Sequence, residues 1–428
     1  MHGFVIGLDL GTSGVRAVAV DASGKILALG SATLPATKAT GARREQSPED
    51  WWNGCRTALD ELSLKLDLSA ARAIAVDATS GTILPVDNHT RPLASARMYD
   101  DADTGDLAAK IKTLAPRESA AHGATSPAAR ALEWTKLPRL HCILHQADWI
   151  NGCLGATNWQ TDENNALKTG YDPVAREWPD WLRTFGLSPG ILPEVVPVGT
   201  PIGQVSAQAA IALGIPEGIT IAAGTTDGCA TFLASGATQP GEASTALGST
   251  IGLKLLSDRP IFAPELGIYS HRIGDGWLAG GASNCGGKTL LQFFSAEQLA
   301  GLEASLEPTK PTGTDYYPLP SVGERFPVSD PNLAPRLKPR PSDDAQFLQG
   351  IYEAFTRIEQ SGFAKLAALG GPALRNVRHA GGGSRSTAWM TLRAQALGVP
   401  QLPAWSEEAA AGAARLAWRS LGHEITFV

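Results

Sequence analysis

The N-terminal apolar run of the sequence ends in a carboxylate that is soon followed by a glycine and hydroxyl turn. Residues 4–16 read FVIGLDLGTSGVR, so Asp9 lies between two leucines, two residues before the GTSG segment begins. A buried carboxylate is unfavourable unless it is paired or bound to a cation. We therefore expect a buried strand whose end holds Asp9 next to a charged ligand.

The GTSG segment, residues 11–14, has the groups that a phosphate needs. Its backbone N–H groups can point at an anion, and Thr12 and Ser13 add two hydroxyls. Asp9 beside it can hold Mg²⁺ directly or through water, since Mg²⁺ prefers one or two carboxylates together with phosphate oxygens. A tight hairpin, in which glycine and threonine only satisfy the turn geometry, explains the same residues. The segment alone does not separate these two explanations.

Length and composition describe a globular protein and argue against several classes of partner. The chain has 428 residues, enough for two or three domains, with 43% hydrophobic and 18% charged residues. Its net charge of -6, without a lysine and arginine block, argues against a nucleic-acid surface. No apolar run reaches the length of a membrane span, and Asp9 interrupts the N-terminal run, which argues against a signal peptide. The five scattered cysteines favour a reducing cytoplasm over a disulfide framework. We expect a soluble, cytoplasmic α/β enzyme that binds neither nucleic acid nor membrane.

The first half of the sequence predicts strands that end in turns, with one early helix. Three antiparallel strands are expected within residues 4–32, joined by GTSG and by an Asp-Ala-Ser-Gly turn. In SPEDWW, Ser47 is a typical helix cap and Pro48 suits the first helical position. ARAIAVDATSGTILPVD predicts a strand, an irregular bend and a further strand. Residues 105–200 are expected to form an insertion that shapes a cleft.

The second half repeats the same ingredients. GITIAAGTTDGCATFL predicts a strand, a turn with Asp227 and a helix, and GEASTALGSTIGLKLL predicts two strands around a Gly-Ser-Thr turn. AGGGS at 380–384 follows another short strand, and a final helix is expected to begin with Ser406 as its cap. Three glycine turns at strand ends, two of them with an adjacent carboxylate, can converge on one nucleotide between two lobes. Asp227 also fits a helix N-cap, and the two roles are compatible.

In these motifs and their order, the sequence resembles the FGGY carbohydrate kinases, a family within the actin/hexokinase/Hsp70-like superfamily. The segments that carry the resemblance are LDLGTSGVR, EQSPEDWW, GTTDGCATFL, ALGSTIGL, GGASN, AGGGSRSTAWMTLRAQALG and EEAAAGAARLA. The resemblance implies an α/β fold of two ribonuclease H-like (actin-like ATPase) domains around a central cleft. It implies an N-terminal domain over residues 1–236 that binds sugar and phosphate, and a C-terminal domain over residues 237–428 that binds the nucleotide.

Two further segments bear on the identity of the sugar. VDATSGT and MYDDAD are similar to the D-ribulose kinase branch of the family. Other branches carry a Gln-Met-His-Gly-like loop where this chain has Ser80-Gly81-Thr82, and an arginine where it has Asp103. The resemblance implies an ATP- and Mg²⁺-dependent kinase, monomeric or homodimeric, that phosphorylates a ketopentose. D-ribulose, giving D-ribulose 5-phosphate, is the first expectation, and D-xylulose or another polyol is the alternative.

The resemblance also implies a role for individual residues. Asp227 would be the general base toward the sugar hydroxyl, and Asp9 would sit with Mg²⁺ and the phosphates. Ser80 and Asp101 would face the sugar together with Asp227. The residues implied in ATP binding are Gly11, Thr12, Ser13, Gly248, Ser249, Gly382, Gly383 and Trp389. Trp389 would offer its face to adenine, and ordinary helix packing explains this tryptophan equally well.

Two other motifs have a weaker claim to function. ASNCGGKT at 282–289 nearly spells a P-loop, but a P-loop follows a buried parallel strand, and the apolar run before this segment is only three residues long. His141, Cys142, His145 and Cys153 match no standard zinc spacing, so a helix that packs these residues is the better explanation.

Two rival functions remain open at this point. A protein-binding ATPase of the Hsp70 or actin type would share Asp9 and the phosphate turns but would need no base for a sugar hydroxyl. The tryptophan-rich middle segment and the pair Ser80 and Asp101 favour a small polyol instead. A sugar-binding module without turnover is the other rival, and the presence of both Asp9 and Asp227 argues against it.

Overall fold

A computed structural model describes residues 3–425. Its strands in chain order are β1 (Phe4–Leu10), β2 (Gly14–Asp21), β3 (Ile26–Thr33), β4 (Lys38–Thr40), β5 (Arg43–Gln46), β6 (Ala71–Ala78), β7 (Ile83–Val86), β8 (Ala96–Arg97), β9 (Cys142–His145), β10 (Gln160–Asp162), β11 (Glu194–Val196), β12 (Pro201–Gln204), β13 (Thr220–Thr226), β14 (Glu242–Leu247), β15 (Ile251–Ser257), β16 (His271–Ile273), β17 (Gly276–Ser283), β18 (Asn376–Ala380) and β19 (Gln401–Pro403).

The α-helices in chain order are α1 (Pro48–Ser63), α2 (Leu107–Leu114), α3 (Pro127–Ala131), α4 (Gln146–Leu154), α5 (Glu163–Leu167), α6 (Trp181–Phe185), α7 (Ala207–Leu213), α8 (Asp227–Ser235), α9 (Gly287–Leu290), α10 (Ala296–Leu302), α11 (Asp344–Ala368), α12 (Thr387–Leu397) and α13 (Ala409–Ser420). Short 3₁₀ turns cover Leu68–Ala70, Leu132–Trp134, Pro189–Ile191, Pro264–Leu266, Glu303–Ser305 and Gly382–Arg385. The expected α/β class is confirmed.

The chain forms two compact units. The first unit holds the residues up to Ala234, the short segment His271–Gly274 and the residues from Glu408 onward, and the second unit holds Ser235–Ser270 and Asp275–Glu407. The division at residue 236 into two family domains stays a prediction. The compact units differ from that division. Helix α13, near the C-terminal end of the sequence, belongs to the first unit because it packs against β1, β6 and β13.

The main sheet of the first unit has the strand order β12-β13-β6-β1-β2-β3. Strands β1, β2 and β3 are antiparallel neighbours, as the sequence predicts, whereas β1 and β13 each run parallel to β6. Every residue of β1 is buried. A strand that is apolar on both sides needs cover on both faces of the sheet.

Helices α1 and α13 supply that cover. Ile6 and Leu8 belong to one buried cluster with Trp51 of α1. Gly7 projects to the other face because successive residues of a strand alternate. A Cβ atom on Gly7 would lie 1.8 Å from the carbonyl oxygen of Ala410, so the glycine lets α13 approach the strand closely.

The two helix starts that the sequence predicts have different outcomes. Helix α1 begins at Pro48 with Ser47 as its N-cap, which confirms the prediction. Helix α13 begins at Ala409 with Glu408 as its N-cap, so the predicted start with Ser406 as cap is wrong. Glu407 is held away from the helix because its side-chain oxygen accepts a hydrogen bond from the backbone N–H of Gly381 at 3.2 Å.

The second unit is built on strands in the order β17-β15-β14-β18-β19. Strands β14 and β15 are antiparallel around the Gly-Ser-Thr turn, as predicted, and β18 and β19 are parallel neighbours. The long helix α11 packs against α12. A buried ion pair joins them, because the Arg393 guanidinium donates to the Glu359 carboxylate at 2.6 and 2.7 Å.

Residues 38–145 contribute a smaller sheet to the first unit, with the strand order β4-β5-β8-β7-β9. Ile83 of β7 and Ile143 of β9 pack in a separate apolar cluster with Trp134. This cluster places the 79–82 bend, which leads from β6 into β7, beside the loops of residues 97–135.

Candidate active site

Three aspartates lie at the ends of three adjacent parallel strands of the first unit. Asp9 near the end of β1 is the register partner of Asp77 in β6, and Asp77 is also the partner of Thr225 in β13. Asp227 is the first residue of α8, directly after β13. Since the carboxyl ends of parallel strands meet at one sheet edge, this order brings Asp9, Asp77 and Asp227 together.

The three carboxylates affect one another because they are poorly solvated. Burial raises the pKa of Asp9, and the charge of Asp227 adds to the rise. The Arg16 guanidinium, 3.5 Å from Asp9, opposes it. Burial, followed by the charges of Asp9 and Asp227, raises the pKa of Asp77 well above its ordinary value. The carboxylates thus form a desolvated centre of negative charge, which a cation would stabilise.

Asp77 is a site residue that the sequence analysis missed. Its side chain is fully buried, and neither carboxylate oxygen accepts a hydrogen bond within residues 3–425. The Asp77 carboxyl lies within hydrogen-bond reach of Asp9, and the raised pKa of Asp77 favours the form that donates. The signal was present in the sequence, since AIAVDATSG repeats the pattern of Asp9: an apolar strand, an aspartate, then hydroxyls and glycine.

The GTSG turn between β1 and β2 is fixed by backbone hydrogen bonds. The Gly11 N–H donates to the Gly14 carbonyl at 3.0 Å, and the Thr12 carbonyl accepts from the Gln46 amide at 2.8 Å. Thr12 is half-buried and Ser13 is exposed. Their hydroxyls make no hydrogen bond inside the described part of the chain, so both stay available to a ligand.

Asp227 combines the geometry of a helix start with that of a strand end. Its Oδ1 accepts from the Gly228 N–H at 2.7 Å, and its carbonyl accepts from the Thr231 hydroxyl at 2.9 Å. Gly224 sets its position, because a Cβ there would lie 1.7 Å from the Val76 carbonyl oxygen. Only glycine lets β13 run this close to β6.

Asp101 is fully buried and already bound to partners. Its carboxylate accepts from two nitrogens of Arg97, at 2.6 and 2.7 Å, and from the backbone N–H groups of Arg44 at 2.7 Å and Asp103 at 2.9 Å. Burial acts to raise the pKa of Asp101, but Arg97 and the two N–H groups lower it below its ordinary value. Asp101 therefore holds together the loop in which it lies.

The Ser80 hydroxyl is the contrasting case. Its oxygen is buried and makes no hydrogen bond within residues 3–425, and the same is true of the Gln146 side-chain nitrogen. The neighbouring Gly81 has φ +100°, and a Cβ there would meet Pro127 at 3.2 Å. The Gly81 carbonyl accepts from the buried Arg130 guanidinium at 2.7 Å. The 79–82 bend is thus rigid, has no room for a bulky side chain at Gly81, and leaves polar groups unsatisfied.

The Gly-Ser-Thr turn of the second unit is supported by the segment that resembles a P-loop. The Gly287 N–H donates to the Gly248 carbonyl at 2.8 Å, and the Lys288 N–H donates to the Ser249 carbonyl at 3.1 Å. The preceding strand β17 spans eight residues, longer than the three-residue apolar run Trp277–Ala279 within it. It is antiparallel to β15, however, and α9 has only four residues, so the P-loop interpretation fails on topology.

Five of the residues implied in ATP binding line one cavity of about 650 Å³ in the second unit: Gly248, Ser249, Gly382, Gly383 and Trp389. Trp389 is almost fully buried, and its ring stacks on Tyr352 at a centroid distance of 5.1 Å and an interplanar angle of 9°. A Cβ on Gly383 would lie 2.3 Å from the Trp389 ring. Tyr352 therefore stacks on the tryptophan, and the glycine turn packs against it.

Comparison with known proteins identifies the family. Residues 4–234 match the N-terminal domain of the FGGY family of carbohydrate kinases, and residues 243–421 match its C-terminal domain. The chain belongs to the FGGY family of carbohydrate kinases. The expected kinase class is confirmed, and members of this family use ATP as a substrate.

Relatives and solved structures agree with this family assignment. The autoinducer-2 kinase of Yersinia enterocolitica serotype O:8 / biotype 1B is 27% identical over 98% of this chain and 86% of its own length. A xylulose kinase structure from Rhodospirillum rubrum has a TM-score of 0.83 and 24% identity over 97% of this chain and 89% of its own. A Plasmodium falciparum glycerol kinase structure with ADP has a TM-score of 0.84 and 15% identity over 98% and 90% of the two chains. These structures confirm the expected two-domain FGGY kinase fold.

The remaining sequence motifs have structural roles in this FGGY kinase. The Asp148 carboxylate accepts from His145 Nδ1 at 2.7 Å, and His145 Nε2 hydrogen-bonds with the Thr169 hydroxyl at 2.9 Å. His141 packs on Trp159 at a centroid distance of 4.3 Å. Within the described residues no group of three or more histidine, cysteine or acidic residues is suited to hold a metal ion. Among the helices of residues 3–425, none has the length and apolar character that a membrane-spanning helix requires.

Proposed function

We propose that this FGGY kinase transfers the γ-phosphate of ATP to a hydroxyl of a ketopentose, with D-ribulose giving D-ribulose 5-phosphate. The observation that carries the proposal is the register of β1, β6 and β13, which gathers Asp9, Asp77 and Asp227 at one sheet edge beside the GTSG turn. Phosphoryl transfer asks the protein chiefly for positioning and charge neutralisation. This edge offers a base, a cation ligand and phosphate donors.

Asp227 is the proposed general base. A sugar hydroxyl is a poor nucleophile at neutral pH, and a positioned carboxylate can take its proton as the oxygen attacks the γ-phosphorus. Asp227 is half-buried, and its Oδ1 is oriented by the Gly228 N–H. Such a base contributes about 10²- to 10⁴-fold to the rate.

Asp9 is the proposed ligand of Mg²⁺, directly or through water. The fit rests on the donor set, because Mg²⁺ is commonly held by one or two carboxylates, with phosphate oxygens and water as its other ligands. The ion would supply the positive charge that offsets the phosphates. Asp77 lies beside Asp9 on the adjacent strand and is fully buried.

The nucleotide roles are divided among glycine turns. Gly11, Thr12 and Ser13 are proposed to contact the transferred phosphate. Gly248 and Ser249 are proposed as the second phosphate turn, in the cavity of the second unit. The shared cavity with Gly382, Gly383 and Trp389 supports binding of the α-phosphate and adenosine there.

The sugar preference rests on the 79–82 bend. The Ser80 hydroxyl and the Gln146 amide are buried donors without partners, which a polyhydroxy compound can satisfy. A Cβ at Gly81 would lie 3.2 Å from Pro127, so a larger residue at this position would require Pro127 to shift. Asp101 is proposed to hold its loop in place beside the sugar, because its buried carboxylate is already bound by Arg97 and two backbone N–H groups.

A substrate screen tests the proposal. ADP release should be measured with ATP and Mg²⁺ against ketopentoses, pentitols, glycerol, hexoses and autoinducer-2. We expect D-ribulose to give the highest kcat/KM and a product phosphorylated at position 5 by ³¹P and ¹³C NMR.

Each other outcome of the screen contradicts a defined part of the proposal. If D-xylulose or autoinducer-2 gives the highest kcat/KM, the D-ribulose assignment is wrong. If ADP release stays at the sugar-free baseline with every compound but rises with an added protein, the protein-binding ATPase replaces the sugar kinase.

A further inference from the structure

The cavity of the second unit contains one acidic side chain. Of the residues that line it, Glu303 is the carboxylate, and most of the others are glycine, alanine, leucine or aromatic residues. Arg385 is the other charged residue of the lining. A largely apolar cavity with few charged groups is typical of a site in which those groups fix the orientation of a ligand. Glu303 has no role in the proposed reaction.

Hydrogen bonds to one of its two oxygens fix the Glu303 side chain. Oε1 accepts from the hydroxyls of Ser386 at 3.1 Å and Thr387 at 3.0 Å, and from the Ala388 N–H at 2.9 Å. These donors lie at the start of α12. Oε2 accepts no hydrogen bond within residues 3–425, so it keeps its capacity for a donor from the cavity.

Glu303 lies at the opposite end of the glycine turn from the phosphate residues. Gly381 packs against Leu247 and Gly248, with its Cβ position 2.8 Å from the Leu247 carbonyl oxygen. The 3₁₀ turn Gly382–Arg385 then leads away to Ser386, which contacts Glu303. The cavity walls near this end are apolar: Leu290, Ala296, Leu299 and Ala300. A nucleotide with its phosphates at Gly248 would extend its base along this lining toward Glu303.

We propose that Oε2 of Glu303 selects adenine by accepting a hydrogen bond from the amino group at position 6 of the purine. Guanine and hypoxanthine carry an oxygen acceptor at that position, which would face the carboxylate without a proton between them. A site built to bond a donor strongly rejects an analogue that lacks it. The inference rests on the proposed function in one respect, that the cavity holds the nucleotide.

The test measures nucleotide binding to the full chain by calorimetry, without sugar. Wild-type protein should bind ATP at least about tenfold more tightly than GTP or ITP. In Glu303→Gln the amide oxygen stays on the three α12 donors, so an NH₂ group replaces Oε2. We expect ATP affinity to fall and ITP affinity to rise, so that the ATP/ITP ratio drops by about tenfold or more.

Two controls keep the inference falsifiable. Glu297→Gln changes an exposed glutamate of the neighbouring helix α10, outside the cavity lining, and should leave the ratio unchanged. Purine riboside triphosphate, which lacks the amino group, tests wild-type protein even if Glu303→Gln does not fold, and we expect it to bind at least about tenfold more weakly than ATP.

The outcomes that overturn the inference differ from those that overturn the proposed function. Tight ATP binding with an unchanged ATP/ITP ratio in Glu303→Gln, or equal binding of ATP and purine riboside triphosphate, contradicts the role of Glu303 alone. Wild-type protein that binds none of these nucleotides contradicts both the inference and the proposed kinase.

Discussion

The residues that decide the chemistry of the first unit are carboxylates that differ in solvation. Asp77 is fully buried, Asp9 is nearly so, and Asp227 is half-buried. Because desolvation disfavours the charged form, the two deeper residues have raised pKa values. Asp227 is the most exposed of the three carboxylates. Solvent and substrate can therefore reach it most readily, as a general base requires.

Asp9→Ala should impair the use of metal-bound ATP more than the binding of sugar. Removing the carboxylate takes away the proposed Mg²⁺ ligand next to the GTSG turn, so the Mg²⁺ concentration for half-maximal turnover should rise by about tenfold or more. Titration of turnover with Mg²⁺ at saturating D-ribulose measures this. Asp258→Ala, at an exposed aspartate of the second unit, is the control. An unchanged Mg²⁺ dependence in Asp9→Ala removes Asp9 from the metal role.

Asp162→Asn should change how stability depends on pH. Burial raises the pKa of Asp162 to about 7, so the folded protein keeps a proton that the unfolded chain releases. The stabilisation is present below the unfolded pKa of about 4 and is lost as pH rises through about 7, at about 1 kcal/mol per pH unit. Asparagine still accepts from the Asn164 and Asn165 N–H groups.

Urea unfolding at pH 5 and pH 8 tests that prediction. Wild type should lose about 2 kcal/mol of this stabilisation between pH 5 and pH 8, and the variant should not. The free energy of unfolding of the variant minus that of wild type should therefore be about 2 kcal/mol more positive at pH 8 than at pH 5. The Asn165 Nδ2 donates to Asp162 Oδ2 at 2.6 Å, so the Asn165 amide must rotate to bring its Oδ1, which has no partner within residues 3–425, to the new NH₂ group. Equal pH dependence in the two proteins shows that Asp162 does not titrate as its burial implies.

The sequence predicted some of these residues and missed others for a physical reason. Asp9 and Asp227 stand out because each ends an apolar strand beside glycine and hydroxyl residues. Asp77 has the same pattern, but its importance depends on β6 lying between β1 and β13, which no local pattern records. Of the four hydrogen bonds to Asp101, the one from the Arg44 N–H likewise comes from a residue that only the fold brings near, whereas the other three come from residues that are close in sequence.

At the level of helices and strands, close approach of backbones positions the site. Gly7 lets α13 pack on β1, and Gly224 lets β13 pack beside β6. The sequence predicted most of these elements, because their apolar periodicity and turn residues are local signals. It did not predict the start of α13, since the hydrogen bond from Gly381 to Glu407 joins distant segments.

Gly7→Ala should destabilise the first unit strongly. The new Cβ would lie 1.8 Å from the Ala410 carbonyl oxygen, and a backbone atom cannot rotate away, so α13 must shift. Overpacking of this kind costs about 1–3 kcal/mol or more. Gly190→Ala is the control, because its Cβ meets nothing nearer than 3.8 Å. Denaturant unfolding that gives the two variants equal stability contradicts the proposed packing of α13.

At the scale of the whole molecule, the C-terminal helix belongs to the unit that the N-terminus begins. The Trp418 indole N–H donates to the Val20 carbonyl at 3.0 Å, which joins residues almost 400 positions apart. The family motifs predicted two domains in order along the chain. They did not predict that the C-terminal helix α13 packs in the first unit, because each motif reports only on residues that are close in sequence.

The proposed acceptor base belongs to the first unit, and the proposed nucleotide cavity belongs to the second. A substitution of the base should therefore strongly slow phosphoryl transfer to the sugar without loss of nucleotide binding. Asp227→Asn is suited to this test, because it preserves the shape and the oxygen that accepts from Gly228 while removing the charge. Asparagine also caps a helix about as well as aspartate.

The most direct measurement compares D-ribulose-dependent ADP release and ATP binding in wild type and Asp227→Asn. We expect kcat to fall by about 10²- to 10⁴-fold in the variant, while ATP affinity by calorimetry changes less than about threefold. Thermal unfolding close to that of wild type would confirm that the fold is kept. Near-normal turnover in a folded Asp227→Asn enzyme would contradict the account, because Asp227 would then be only a helix cap.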